Sequence, residues 1–150
     1  MPEKIILIAA VTVDGYIARH SKEIIKWSKD LPLFKKQTMG CSVVVGSNTY
    51  QTIEKELSGR KVFVVHRNNK PSEILSKINR DKCFIIGGGK TFSSYSSFIT
   101  HLFITPHPYV FGSGVPLFSN TIKEMKLDFI KLNIVDHDLG IYQYQYKVIK

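Results

Sequence analysis

Short apolar runs alternate with helix-like stretches through most of this chain, and that alternation admits few folds. Lys4–Val11 is an apolar run that ends near Asp14-Gly15, a turn signal. Ser42–Val45, Arg60–His66 and Cys83–Ile86 are further strand-like runs. Between them, Leu31–Met39 carries apolar residues at near-helical spacing, and Asn48–Leu57 places Ile53 and Leu57 on one face. Another helix is predicted to open at Pro71-Ser72, with Ser72 as its N-cap. Strands separated by helices predict a mainly parallel sheet covered on both faces. The end of the chain reads differently. Leu102–His107, Leu127–Val135 and Ile141–Ile149 are strand-like, and the tight turn at Asp138-Leu139-Gly140 makes the last two antiparallel. Pro106 and Pro108 suit the end or edge of a sheet. The expected fold is therefore α/β. It has a mixed, mostly parallel central sheet flanked by helices and a C-terminal antiparallel hairpin, in one domain spanning 1–150.

The strand ends carry the chemistry. FIIGGGKTF (84–92) runs from a strand through Gly87, Gly88 and Gly89 into a helix start. Free N–H groups at such a turn attract an anion, and glycine lets the ligand approach the backbone. A second strand ends in Gly46-Ser47-Asn48-Thr49, where Ser47 or Asn48 is expected to cap the next helix. A third ends in His66-Arg67. Ligands of open α/β sheets bind at the carboxyl ends of strands. Two glycine turns and a basic pair there suit one extended phosphate-bearing ligand, such as a dinucleotide. The glycines follow neither the GxGxxG nor the Walker pattern. Asp30-Leu31-Pro32 reads as a helix N-terminus with Asp30 as cap, or as a site acid; the residues alone leave both open.

Net charge is +9, which favours anionic partners. The cations are scattered, with no basic block and no zinc-finger spacing, so nucleic acid is disfavoured. No apolar stretch reaches the roughly 18–20 residues of a membrane span. Cys41 and Cys83 border or join apolar runs and are read as reduced, buried thiols, which points to the cytoplasm. No metal site is expected.

Six segments, in order and spacing, resemble dihydrofolate reductase over nearly the whole chain: IAAVTVDGYIA (8–18), WSKDLPLFKKQT (27–38), VVVGSNTYQTI (43–53), LSGRKVFVVHR (57–67), FIIGGGKTF (84–92) and LFIT (102–105). The resemblance implies the dihydrofolate reductase-like fold, NADPH as cofactor and dihydrofolate as substrate. It implies that Asp30 is the active-site acid, that Thr105 is linked to it, and that Trp27 closes the pocket. Ile8, Leu31, Phe34, Ile53, Leu57 and Ile86 would line the substrate slot, and Arg60 would pair with the substrate carboxylate. Ala10, Ile17 and Ile86 would contact the nicotinamide. Gly46, Ser47, Asn48, Thr49, Gly87, Gly88, Gly89, Lys90 and Thr91 would hold the phosphates, with a cis peptide joining Gly87 and Gly88. His66 and Arg67 would take the 2′-phosphate. A monomer is favoured.

There are departures. Ser47 stands where many members have arginine, and Phe92 where they have tyrosine. RHSKEIIK (19–26) replaces the usual mobile loop. PYVFGSGVPLF (108–118) looks more like the riboflavin-pathway pyrimidine reductases of the same superfamily. Such a reductase, and a non-catalytic nucleotide or nucleic-acid binding domain on the same fold, are the alternatives.

Overall fold

The computed structural model describes residues 1–150. One seven-stranded sheet organises the chain. Its strands are β1 (Lys4–Thr12), β3 (Ser42–Gly46), β4 (Lys61–Val65), β5 (Lys82–Ile85), β6 (His101–His107), β8 (Lys126–Asp136) and β9 (Ile141–Ile149), in spatial order β4-β3-β5-β1-β6-β9-β8. The first five pair in parallel; β9 runs antiparallel to β6 and to β8. The mixed sheet and its closing hairpin follow the sequence pattern. A separate two-stranded sheet pairs β2 (Tyr16–Ala18) with β7 (Val115–Pro116), which the sequence pattern does not reveal.

Period-two alternation sorts the core onto the two sheet faces. Ile5, Leu7, Val44, Cys83 and Ile85 join Leu75, Phe92, Tyr95 and Ile99 in one buried cluster. Ile6, Ile8, Val43, Val45, Phe84 and Ile86 join Leu57 in the other, with Phe34, Tyr50 and Ile53 packed against them. The first face is covered by α3 (Pro71–Ser76) and α4 (Gly89–Ser94), the second by α1 (Leu31–Thr38) and α2 (Ser47–Ile53). Each central strand is buried on both sides, so its sequence is a continuous apolar run rather than an alternation.

Helix starts depart from the cap expectations. Pro71 takes the first turn of α3 and Lys70 the cap position, so Ser72 lies inside the helix; proline's fixed φ and missing N–H suit that first position. Gly46 caps α2 through its backbone, leaving Ser47 and Asn48 within the helix and without side-chain cap bonds. Beyond α2, residues 54–56 tighten into a 3-10 turn. Pro106 lies inside β6, but β9 pairs with that strand only as far as Ile104. The missing N–H therefore falls where the strand has become an edge. Cys41 and Cys83 are free; Cys41 is only half-buried, and burial pushes the Cys83 thiol up to about 12.

Candidate active site

Of the chain's twelve acidic residues, Asp30 is the only buried one, at 7% exposure. It occupies the cap position of α1, and its carbonyl accepts the Phe34 N–H at 2.8 Å. Its carboxylate makes no cap bond. The backbone therefore does the capping, and the buried carboxylate is not spent on it. Burial raises its pKa above the usual carboxylate value; His107, Thr105 and Ser28 act in the opposite sense.

His107 sits beside this acid at 1% exposure. Its Nδ1 donates to the Thr105 carbonyl at 2.8 Å, and its Nε2 accepts the Lys29 N–H at 2.9 Å. A carbonyl only accepts and an amide N–H only donates, so these partners assign a neutral Nδ1–H imidazole. Desolvation is the largest influence on Asp30 and prevails over His107, Thr105 and Ser28. Because Lys29 precedes Asp30, the imidazole also ties the acid's segment to β6. Trp27 packs edge-on to His107, Tyr109 and Phe111, with centroids 5.3, 6.0 and 5.2 Å away. Sequence reasoning missed His107; Pro106-His107-Pro108 reads only as a strand end.

Two buried polar atoms of the expected site have no protein partner, Thr105 Oγ1 and Trp27 Nε1. Thr105 is fully buried, and its hydroxyl favours the ionised Asp30 without completing a hydrogen bond of its own. Buried polar groups are ordinarily satisfied, so these two point to a polar ligand or water beside the acid.

The expected apolar lining divides by position. Ile8, Leu57 and Ile86 are buried in one cluster, with Phe34 and Ile53 packed against it. Leu31 is 39% exposed at the start of α1, while Ala10 and Ile17 are half-buried. Ala10 lies opposite Thr105 in the β1–β6 register. Arg60 falls just before β4 rather than within it. Its guanidinium is anchored by its own chain: Nε donates to Thr38 Oγ1 at 3.0 Å, Nη2 to the Lys35 carbonyl at 2.5 Å, and Nη1 to the Ser58 carbonyl. Such bracing fixes the plane and orientation of the guanidinium.

The two glycine turns meet. The Gly46 N–H donates to the Gly87 carbonyl at 2.7 Å, and the Gly87–Gly88 peptide is cis. A Cβ on Gly46 would stand 2.7 Å from Thr91 Oγ1, and one on Gly88 would stand 3.0 Å from Thr49 Oγ1. A Cβ on Gly89 would stand 2.6 Å from the Pro116 carbonyl oxygen. Side chains are thus excluded where the turns converge, leaving bare backbone and the hydroxyls of Thr49 and Thr91. Val65 pairs with Gly46 at the ends of β4 and β3. His66 and Arg67 follow it, exposed, beside the start of α2 and Ser47. Lys90 is exposed at the start of α4. No group of His, Cys, Asp and Glu side chains is placed to hold a metal. Two open depressions of about 430 and 480 Å³, lined mostly by charged and polar residues, lie around Lys4 at the opposite end of the strands.

One loop frames the site. Asp14 accepts the Phe111 and Gly112 N–H groups at 3.2 and 2.8 Å and the Thr12 hydroxyl at 2.6 Å. These bonds fix the turn after β1 to the loop after β6, and β2–β7 pairing continues the connection. Residues 19–26 lie between that pairing and the buried Trp27.

The family model described as "Dihydrofolate reductase" matches residues 4–111. Dihydrofolate reductase type 8 from Escherichia coli is 25% identical over 158 aligned positions, covering 90% of each chain, and its Shigella sonnei counterpart matches equally. Among solved structures, dihydrofolate reductase from Enterococcus faecalis, complexed with NADP(H) and RAB-propyl, aligns with a TM-score of 0.75 at 20% identity, covering 100% of this chain and 99% of the other. A putative riboflavin biosynthesis protein from Shewanella sp. PV-4 aligns with a TM-score of 0.68 at 18% identity, covering 98% and 99%.

Proposed function

Because the chain belongs to the dihydrofolate reductase family, we propose that it reduces 7,8-dihydrofolate to 5,6,7,8-tetrahydrofolate with NADPH. The observation that carries this reading is the buried Asp30 beside the unpartnered Thr105 hydroxyl. A pterin presents paired N–H donors along one edge, and a single carboxylate accepts two of them in parallel. Asp30 holds and polarises that edge, and Thr105 completes the polar contact. Burial raises the pKa of this acid, and the proton for N5 is delivered through water. Trp27 and its aromatic neighbours exclude bulk water from this side. Arg60, braced by three hydrogen bonds, pairs with the carboxylate of the substrate's tail.

When bound, the cofactor supplies the hydride that goes to C6. The residues present fit it: the side-chain-free turns at Gly46 and Gly87–Gly89 suit a pyrophosphate. Thr49 and Thr91 offer hydroxyls, and His66 with Arg67 takes the 2′-phosphate that distinguishes NADPH from NADH. Ala10, Ile17 and Ile86 contact the nicotinamide.

A riboflavin-pathway reductase is the second reading, favoured by the Shewanella sp. PV-4 likeness and by residues 108–118. The test is loss of NADPH absorbance with dihydrofolate, and its loss in Asp30→Asn. Turnover of the phosphorylated ribosylamino-pyrimidine without turnover of dihydrofolate would replace the first reading with the second. Salt-sensitive nucleic-acid binding without turnover of either would leave only a binding domain.

A further inference from the structure

We propose that two copies of this chain associate through the open face of the β8–β9 hairpin. The two faces of the hairpin differ sharply. On the α1 side, Gln143 and Gln145 are 1% and 7% exposed, and Gln143 exchanges two 2.8 Å hydrogen bonds with Gln37 of α1. On the other face Val148 is buried in the first core cluster and Tyr146 packs against it, but the residues of β8 and the far end of β9 lack such cover. Register there places Leu127 opposite Val148, Phe129 opposite Tyr146, Leu132 opposite Tyr144 and Ile134 opposite Tyr142. Leu127, Phe129, Leu132 and Ile134 are 36%, 58%, 44% and 67% exposed, and the three tyrosines are half-buried. Phe129 packs edge-on to Tyr144 and Tyr146, which stack on each other. Exposed apolar residues scattered singly are ordinary, but these form one uncharged patch.

Its size suits a second copy. The exposed fractions leave on the order of 500 Å² of apolar surface, so a two-fold contact buries about 1,000 Å² in total, the lower bound of a specific interface. A two-fold axis needs only that the patch match itself, and a patch without charges meets that condition. Net charge also bears on the contact. Two copies at +9 repel one another, so association must use a surface that presents no cations of its own. Pairing is face to face rather than edge to edge. β8 is the edge strand, but its register breaks between Phe129 and Lys131 and between Ile134 and Asp136, and such bulges spoil an edge for strand addition. This differs from the monomer that the sequence favours, because alternation alone does not reveal which face of a final hairpin a helix covers.

Sedimentation velocity of the full chain at about 50 μM tests the proposal. The expected result is a species of twice the chain mass, whose fraction rises with salt as the repulsion is screened. Phe129→Asp/Ile134→Asp should run as a folded monomer, with folding checked by circular dichroism. If that pair of substitutions does not fold, Ile134→Lys alone, at the most exposed position, should weaken the dimer at least about 10-fold. A wild-type monomer at this concentration would overturn the proposal, as would a dimer unchanged by Ile134→Lys or one that dissociates in salt. A monomer that instead co-sediments with phosphatidylcholine vesicles would assign the patch to a lipid surface and overturn it equally. None of these readouts depends on reductase activity.

Discussion

Replacing Thr105 by valine should stabilise the protein and impair it at once. Valine keeps the branched shape on β6 and removes only the hydroxyl. That hydroxyl belongs to a residue with 0% exposure and completes no hydrogen bond to the protein. An unsatisfied buried polar group costs about 1–3 kcal/mol, so its removal should return up to that amount. For a chain of this size, each kcal/mol moves the melting temperature by roughly 2–4 °C. A rise of several degrees is therefore expected for the ligand-free protein, measured by thermal unfolding and checked by the urea midpoint at constant m-value. Activity should move the other way. In the substrate complex the hydroxyl is expected to complete a hydrogen bond beside the ionised Asp30, and a hydrogen bond to a charged group is worth about 1.5–3 kcal/mol. Its loss should lower kcat/KM for dihydrofolate roughly 10- to 150-fold. It should also carry the Asp30 pKa further upward, displacing the pH–rate profile in the same direction. A variant that melts lower than wild type and keeps its kcat/KM would refute the reasoning on both counts.

Three other substitutions probe separate parts of the site. Asp30→Asn should abolish most activity, yet its stability relative to wild type should grow with pH. Burial raises the folded-state pKa, so wild-type stability from this group is full below the unfolded pKa near 3.8 and is lost as pH rises through the folded value; urea titrations at several pH values show whether the gap widens. Arg60→Lys keeps the charge but cannot reproduce the fork held by Thr38, Lys35 and Ser58, so KM for dihydrofolate should rise about 10-fold or more while KM for NADPH holds, as steady-state kinetics will show. Gly89→Ala would put a Cβ 2.6 Å from the Pro116 carbonyl oxygen, so β7 must shift; a stability loss of about 1–3 kcal/mol by urea titration is expected, together with weaker NADPH binding.

The sheet was legible because its central strands are buried on both faces, and burial of that kind writes itself as continuous apolar runs such as KIILIAAV and SVVV. The glycine turns were legible for a related reason, since three adjacent glycines call for a backbone approach that side chains would block. Cap chemistry was less legible. Ser72, Ser47 and Asn48 have the right composition for caps, but Pro71 and the bare backbone at Gly46 fixed those helix starts instead. Asp30 takes the cap position that its sequence context suggests but makes no side-chain cap bond, a distinction that composition cannot encode. His107 and the β2–β7 pairing depend on contacts between residues about 80 to 100 positions apart, and neither leaves a local period to read.

The surface acid Asp14 and the buried acid Asp30 are driven in opposite directions. Hydrogen bonds from Thr12 and from the Gly112 and Phe111 amides pull Asp14 below the ordinary carboxylate value, while desolvation lifts Asp30 above it. As the solution is acidified, Asp30 takes up its proton first. Across the interval that follows, the interior aspartic acid is neutral while the outer one still grips its amides. The tie between the turn after β1 and the loop after β6 therefore persists while the buried acid changes its charge.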